Sequence, residues 1–168
     1  MSRIIRYCPQ CGHKKFEFDG FKVHYCKHCD FEFFLNAATA VSAIIIDNDC
    51  LLVATRGREP GKGLLDLPGG FVDPGESLEV ALKRELTEEL SIRPVALSYL
   101  TSATNLYHYK AVDYTTCDCF FMADFDHFDG LDAGDDVDAL AWIPLSELDL
   151  ADFVFDSVKQ AIRHFLYS

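Results

Sequence analysis

Residues Gly69–Ile92 read GGFVDPGESLEVALKRELTEELSI, and this stretch decides the fold. A Gly-Gly pair leads through the turn-forming Asp73-Pro74-Gly75 into a segment without Gly or Pro. Leu, Glu, Lys, Arg and Ala dominate that segment, so we expect an α-helix over Ser77–Leu90. Glu76 and Ser77 stand at its start, where a side-chain oxygen can accept from free backbone N–H groups.

The leucines and several acidic residues of this helix share part of one face. At about 100° per residue, a continuous apolar stripe is formed by Leu78, Leu82, Leu86 and Leu90. Three carboxylates at i+3 and i+4 spacing overlap the edge of that stripe: Glu85, Glu88 and Glu89. Like charges repel, and crowding them toward a core adds a desolvation cost. A divalent cation such as magnesium or manganese would offset that cost, and a solvated acidic face is the alternative.

The spacing of these residues resembles the Nudix box. Gly70 is followed after five residues by Glu76, and after seven more by the sequence RELTEELSI at 84–92. One position departs from the family pattern, because Ser91 stands where the family usually has the Gly that ends the helix. The resemblance implies an α/β fold, a Nudix α/β/α sandwich with a mixed sheet between helices Ser77–Leu90 and Phe153–Tyr167.

The same resemblance implies a metal-dependent pyrophosphohydrolase that cleaves the diphosphate bond of a nucleoside diphosphate linked to another moiety. It assigns Glu85, Glu88 and Glu89 as catalytic, metal-binding carboxylates and Arg84 as the catalytic-site arginine that holds them. It also assigns Glu76 as an additional metal-site or orienting residue and the Gly70 carbonyl as a further metal ligand. The general base is left open between a box glutamate and a late-loop aspartate, Asp135 or Asp136.

Four of the seven cysteines form two CxxC pairs, Cys8 with Cys11 and Cys26 with Cys29, separated by 14 residues. Paired thiolates at this spacing predict a tetrahedral zinc site, and hence a small zinc ribbon over residues 1–35. A Nudix hydrolase domain over 36–168 follows. A ribbon without metal is the alternative for this segment, and either His13 or His28 could replace a cysteine as ligand.

Two segments are candidates for binding the substrate. The basic, Gly-containing loop after residue 55 offers Arg56, Arg58 and Lys62 to phosphate groups, although solvated loop charge is the alternative. The aromatic segment downstream of the box offers Tyr107, Tyr109 and Tyr114 for stacking on a base or ribose. Packing at a sheet edge or a dimer interface is the alternative for these tyrosines.

A zinc ribbon ahead of a Nudix box is similar to the NADH pyrophosphatases, which also carry a downstream Ser-Gln-Pro-Trp-Pro-Phe-Pro signature. Here residues 98–121 read SYLTSATNLYHYKAVDYTTCDCFF, without Pro or Trp. We therefore expect a substrate of the ADP-ribose, dinucleotide or nucleotide-sugar class, with NADH as the alternative. A non-catalytic Nudix ligand-binding or regulatory module is the alternative of another class, and the complete box favours the enzyme.

Net charge and composition limit the classes of molecule that we expect the protein to bind. The 168 residues carry a formal net charge of −12, which argues against nucleic acid and against an anionic membrane surface. No apolar run reaches the roughly 20 residues of a membrane span, and the start has no signal-peptide pattern. We expect a cytoplasmic protein, a small-molecule nucleotide as its partner, and a homodimer.

Outside the box and the ribbon, hydrophobic periodicity and turn residues predict the other elements. Lys110–Tyr114 is predicted to be a loop, and Asn48-Asp49 a hairpin turn. The predicted strands are 15–18, 22–25, 39–47, 50–55, 93–104 and 115–125, with a further strand and short helix within 140–148.

Overall fold

The computed structural model describes residues 5–110, 112–134 and 137–168. By its internal contacts the chain divides into two compact units. One unit contains the cysteine-rich segment up to Ala37 together with Leu106–Thr115. The other unit contains Ala38–Asn105 and Thr116–Ser168.

The first unit contains a small antiparallel sheet. Its strands are β1 (Phe16–Phe18), β2 (Val23–Cys26) and β3 (Glu32–Phe34), in the order β1-β2-β3. A tight turn joins β1 to β2, and Asp19 closes it by accepting from three successive backbone N–H groups at 2.7–3.1 Å. The third strand is absent from the sequence prediction because its residues lack an alternating pattern.

In the residues that the structure describes, the second unit has eight strands and two helices. Its strands are β4 (Ala38–Ile44), β5 (Ile46–Asp47), β6 (Cys50–Arg56), β7 (Leu65–Asp66), β8 (Gly69–Phe71), β9 (Ala96–Tyr109), β10 (Val112–Asp124) and β11 (Val137–Pro144). The outer ends of β9 and β10 belong to the first unit. The helices are α1 (Leu78–Leu90) and α2 (Asp156–Tyr167), and two short 3-10 turns precede α2.

The strands form two sheets. One has the order β8-β4-β10-β9, with β4 parallel to β10 and antiparallel to β8, so it is a mixed sheet. The other has the order β11-β6-β5, and β7 also pairs with β6. The predicted Asn48-Asp49 turn joins β5 to β6, with both residues in the left-handed region at φ 47° and 61°.

Alternate residues of the strands face two different cores. Phe121 of β10 packs in a cluster with Leu82 and Leu86 of α1. Its neighbour Phe120 packs in a second cluster with Val158 and Ile162 of α2. Successive side chains of a strand point to opposite faces, so the two helices cover opposite sides of the sheet. The predicted α/β/α sandwich with a mixed sheet is therefore confirmed.

Helix α1 begins and ends close to the predicted residues. The Ser77 hydroxyl oxygen accepts from the backbone N–H of Val80 at 3.3 Å, which caps the first turn. At the other end Ser91 adopts the left-handed conformation, φ 59° and ψ 10°, and its N–H donates to the Thr87 carbonyl. A serine therefore takes the backbone conformation in which the family usually has glycine.

Two boundary predictions are wrong. Lys110–Tyr114 is not a loop, because β9 runs to Tyr109 and β10 begins at Val112, so a tight turn with Lys110 at φ 46° joins two long strands. The final helix begins at Asp156, because the backbone before it is extended and pairs with Leu65 of β7. Neither helix in the described part of the chain is long and apolar enough to cross a membrane.

Candidate active site and metal centre

Arg84 lies at the centre of the site on α1. Its Nε and Nη2 atoms donate to the two carboxylate oxygens of Glu76 at 2.9 and 2.8 Å, which is a bidentate pair. Nη2 also donates to the Phe71 carbonyl at 3.1 Å. The hydrogen bonds from Arg84 and from the Asp73 backbone N–H hold the pKa of Glu76 down at about 2. Glu76 therefore joins the turn before α1 to the middle of the helix.

The third nitrogen of the same guanidinium reaches the box carboxylates. Arg84 Nη1 donates to Glu85 at 2.7 Å and to Glu88 at 3.2 Å. The Glu85 side chain is mostly buried at 13% exposure, whereas Glu88 is 49% exposed. Hydrogen bonds to Glu76 and Glu85 raise the pKa of Arg84 above its ordinary value, so the guanidinium stays charged.

Two glycines make room for these carboxylates. A Cβ atom at Gly70 would contact the Glu85 carboxylate, with the two oxygens at 2.5 and 2.6 Å. The backbone N–H of Gly69 donates to Glu89 Oε2 at 2.8 Å. Gly69 itself has φ 145°, and a Cβ there would collide with the Val41 carbonyl. Gly70 is thus needed for the close approach of β8 to α1, and Gly69 for the close approach of β8 to β4.

A residue that the sequence analysis did not select, Gly134, fixes the end of α1. Its N–H donates to the Glu89 carbonyl at 2.9 Å, and a Cβ there would collide with the Glu88 carbonyl oxygen. A lone Gly in an acidic loop was the available signal. The two candidate bases, Asp135 and Asp136, follow directly but lie outside the described residues.

The four predicted zinc ligands converge. The sulfur atoms of Cys8, Cys11, Cys26 and Cys29 all lie within 4.8 Å of one another, an arrangement that could hold a metal ion. Cys8 and Cys29 are 3.7 Å apart, as are Cys11 and Cys26. In the described residues no other group of three or more His, Cys, Asp or Glu ligands converges this closely, so the box carboxylates do not.

The thiols influence one another strongly. Burial raises the pKa of Cys26, but backbone N–H groups of His28 and Cys29 and neighbouring thiols lower it to about 7. At Cys29 the Phe31 backbone lowers the pKa, but burial and three neighbouring thiols raise it to about 12. Four thiolates this close require a cation. The rings of His13 and His28 instead stack on each other at 4.5 Å.

The predicted phosphate-binding loop divides into a fixed base and an exposed tip. Arg56 forms an ion pair with Asp66 at 2.6 Å, donates to the Pro60 carbonyl at 2.7 Å and lies over the Phe155 ring. Burial raises the pKa of Asp66 to about 6, although Arg56 lowers it. Arg58 and Lys62 are exposed. The role of these three cations toward phosphate stays a prediction.

The three predicted tyrosines lie on the outer ends of β9 and β10. Tyr109 and Tyr114 are exposed, and the Tyr107 and Tyr109 rings are 6.3 Å apart. The turn beside them contains an exposed His108–Asp113 pair at 2.6 Å. These residues belong to the first unit, and their part in substrate binding stays a prediction.

Several known proteins are similar to this chain. A curated protein from Shigella flexneri, "NAD-capped RNA hydrolase NudC", is 34% identical over 100 residues, which are 60% of this chain and 38% of that protein. The chain therefore spans less than half the length of the curated relatives that it matches.

Two solved structures are also similar. The NUDIX domain of Shewanella oneidensis NrtR, complexed with ADP ribose, is 25% identical with a TM-score of 0.65, over 79% of this chain and 88% of that one. A bifunctional NMN adenylyltransferase/ADP ribose pyrophosphatase from Francisella tularensis, complexed with AMP and a manganese ion, is 26% identical with a TM-score of 0.59, over 79% of this chain and 42% of that one. A family model, the NUDIX domain, matches residues 37–165, which is most of the chain. The chain therefore belongs to the NUDIX domain family.

Proposed function

We propose that this protein is a metal-dependent pyrophosphohydrolase acting on a nucleoside diphosphate linked to another moiety. The observation that carries the proposal is the carboxylate set of α1, positioned by Arg84 and facing Gly70 in a NUDIX domain. The manganese ion named in the Francisella tularensis structure and the ADP ribose named in the NrtR structure support the metal and the substrate class.

The proposed magnesium or manganese site uses Glu85, Glu88 and Glu89, with Glu76 and the Gly70 carbonyl as further candidates. Carboxylate and carbonyl oxygens are the donors that these hard cations prefer, and the space beside Glu85 exists because Gly70 has no Cβ. A bound ion would screen the diphosphate charge and lower the pKa of the attacking water.

In this proposal the protein's own groups have two roles: they hold the carboxylates in position, and one of them accepts a proton. Arg84 and the Gly69 N–H hold the carboxylates in place, so that no reorganisation is needed during reaction. The proton of the attacking water passes to a box glutamate or to Asp135 or Asp136. Glu88 has a half-exposed side chain and can be reached from solvent.

We also propose that the four cysteines bind zinc and that this ribbon, residues 1–35, is a separate domain ahead of the hydrolase domain, 36–168. A zinc ion about 2.3 Å from each sulfur in a tetrahedron places the sulfurs about 3.7 Å apart. Two of the sulfur pairs, Cys8–Cys29 and Cys11–Cys26, have that separation, 3.7 Å.

The test is hydrolysis of a substrate panel, read out as phosphate released after phosphatase treatment, in magnesium and then manganese. Glu88→Gln or Glu89→Gln should lower turnover on the best substrate by about two orders of magnitude or more, because a metal ligand loses its charge. Glu79→Gln is the matched control, since it makes the same change on an exposed first-turn residue of α1. Near wild-type turnover in both box variants would overturn the proposal.

A second candidate substrate is NAD, free or as an RNA cap, and the NudC relatives favour it. The panel therefore includes NADH and NAD-capped RNA beside ADP-ribose, a dinucleotide and a nucleotide sugar. The RNA arm tests the expectation that nucleic acid is not a partner. A non-catalytic module would bind a ligand of the panel without turning it over.

Two further expectations stay predictions. Sedimentation of the purified protein measures whether it is a homodimer. Fractionation of cells measures whether it is cytoplasmic.

A further inference from the structure

A recess in the second unit lies between β9 and the C-terminal half of α2. Its volume is about 400 Å³, which is within the range of small-molecule sites. The residues that line it are Thr101, Ser102, Ala103, Gln160, Arg163 and His164. In the mixed sheet β9 lies at the opposite edge from β8, with β4 and β10 between them. Strands about 4.8 Å apart place these edges roughly 14 Å from each other, so the recess is separate from the candidate active site beside β8.

The α2 wall of the recess has three long polar side chains. Gln160, Arg163 and His164 are spaced i, i+3 and i+4, so they share one face of the helix. All three are exposed, and their side chains form no hydrogen bond or ion pair with one another or with the rest of residues 5–110, 112–134 and 137–168. The guanidinium, the amide and the imidazole are therefore available to donate hydrogen bonds to a ligand.

The β9 wall interrupts the regular alternation of the strand. Leu100 and Ala103 both pack against the core cluster that α2 covers. In a regular strand, residues three apart face opposite sides of the sheet. Thr101 and Ser102, which lie between them, therefore occupy an irregular step of β9. Irregular steps of this kind redirect side chains, and here two consecutive hydroxyl residues line the same recess.

The charges around the recess favour an anion. No Asp or Glu occurs in β9, and the only acidic residue of α2 is Asp156, which pairs with Lys159 at 3.3 Å at the other end of the helix. The whole chain has 27 acidic and 15 basic residues. Among the described residues that line the recess there is a guanidinium without a carboxylate partner, which is the opposite of the overall charge balance.

We propose that this recess binds the phosphate group of a small phosphorylated molecule. The Arg163 guanidinium can donate two parallel hydrogen bonds to phosphate oxygens, and the Thr101 and Ser102 hydroxyls can donate to the others. An apolar ligand would leave these donors without acceptors. The site goes beyond the proposed function and does not depend on it.

The experiment follows the backbone amide NMR signals of the full chain while inorganic phosphate, glucose 6-phosphate or glucose is added at constant ionic strength without magnesium. The two phosphate probes should shift the signals of residues 101–103 and 160–164 to saturation, and glucose should not. Tighter binding of glucose 6-phosphate would identify a phosphate monoester as the ligand, and equal binding would identify free phosphate. The absence of a saturable shift, or shifts confined to β8 and α1, would overturn the proposal.

Two variants test the groups that hold the phosphate. Arg163→Gln should weaken binding of both phosphate probes about tenfold or more, because it removes hydrogen bonds to a charged group. Arg93→Gln is the matched control, since it makes the same change on an exposed arginine outside the recess. Ser102→Ala should weaken binding several-fold, with Ser98→Ala on the same strand as its control. Equal affinities in Arg163→Gln and Arg93→Gln would mean that only overall charge attracts phosphate, and would overturn the proposal.

Turnover on the same preparations separates this inference from the proposed function. Glu88→Gln should lose turnover yet keep the phosphate-induced shifts at residues 160–164. A chain that shows these shifts but hydrolyses nothing on the panel would remove the proposed activity and leave the phosphate site. A chain that hydrolyses the panel without these shifts would do the reverse.

Discussion

The cysteine cluster and the α1 carboxylates are both sets of potential metal ligands, but the fold arranges them differently. The four sulfurs lie within 4.8 Å of one another and two pairs are 3.7 Å apart. The carboxylates are instead drawn to protein donors, Glu85 and Glu88 to Arg84 and Glu89 to the Gly69 N–H.

This difference separates two uses of a metal ion. Four sulfur ligands on one ion leave no coordination position for a substrate, which is typical of a structural site. Carboxylates that already have hydrogen bonds inside the protein keep their positions without an ion. Such a set can bind ions together with a charged substrate and release both.

The largest expected effect is at the cysteine cluster. Cys26→Ser should abolish stoichiometric zinc and unfold the ribbon, because structural zinc contributes about 10–16 kcal/mol in small zinc-binding peptides. Elemental analysis and backbone NMR of the full chain measure both effects. Cys50→Ser is the control, since Cys50 lies outside the cluster. A Cys26→Ser protein that keeps one zinc and the ribbon signals would contradict a four-sulfur structural site.

At the α1 carboxylates, Arg84→Lys should lower kcat by about 10–100-fold, which is the usual cost of losing a group that orients metal ligands. Lysine keeps the charge but cannot bind both oxygens of Glu76 while also reaching Glu85. Steady-state kinetics and a magnesium titration measure the effect, and Lys83→Arg on the exposed neighbour is the control. If kcat is unchanged, Arg84 does not position the carboxylates.

Sequence predicted the parts of both sites that depend on local spacing. Two CxxC turns fix pairs of thiols over four residues each, and the helical period fixes Glu85, Glu88 and Glu89 on α1. The helix cap at Ser77 also follows from neighbouring residues. Such features need little information about the rest of the chain.

Features set by distant residues could not be read from the sequence. The bidentate Glu76–Arg84 pair spans a turn, and the contact of Gly134 with the end of α1 joins residues 45 positions apart. The Ser157–Asp118 hydrogen bond needs α2 packed on β10. Lys110–Tyr114 has the composition of a loop, and cross-strand pairing extends β9 and β10 through most of it.

The Glu76–Arg84 pair also predicts a pH dependence. The carboxyl has a pKa of about 2 in the folded protein, below its ordinary 4.5. An acid with a lowered folded-state pKa stabilises above the unfolded pKa and loses that contribution as the pH falls toward 2. The difference in Tm between wild type and Glu76→Gln should therefore be largest above pH 4.5 and shrink below it.

Thermal melts at several pH values measure that difference, with Glu147→Gln on an exposed residue as control. A difference that is the same at pH 6 and pH 3 would mean that Arg84 does not stabilise the ionised carboxyl. We expect no comparable pH dependence of Tm from the cysteine thiols alone, because a bound metal ion would dominate their titration.

The smallest expected effect tests whether the end of α1 is set by its cap or by the groups around the carboxylates. Ser91 has φ 59°, where a residue with a Cβ is disfavoured by about 1 kcal/mol relative to glycine. Ser91→Gly should raise Tm by up to about 2–4 °C, less what the added freedom of the unfolded chain takes back. Ser77→Gly is the matched control, the same change at the other end of the helix. It should lower the free energy of unfolding by about a few tenths of a kcal/mol. Arg84, Gly69 and Gly134 hydrogen-bond to Glu85 and Glu89 independently of the cap at Ser91. The kcat of Ser91→Gly should therefore stay at the wild-type value. A gain in Tm with a loss of kcat would instead show that the strained serine helps to place Glu88 and Glu89.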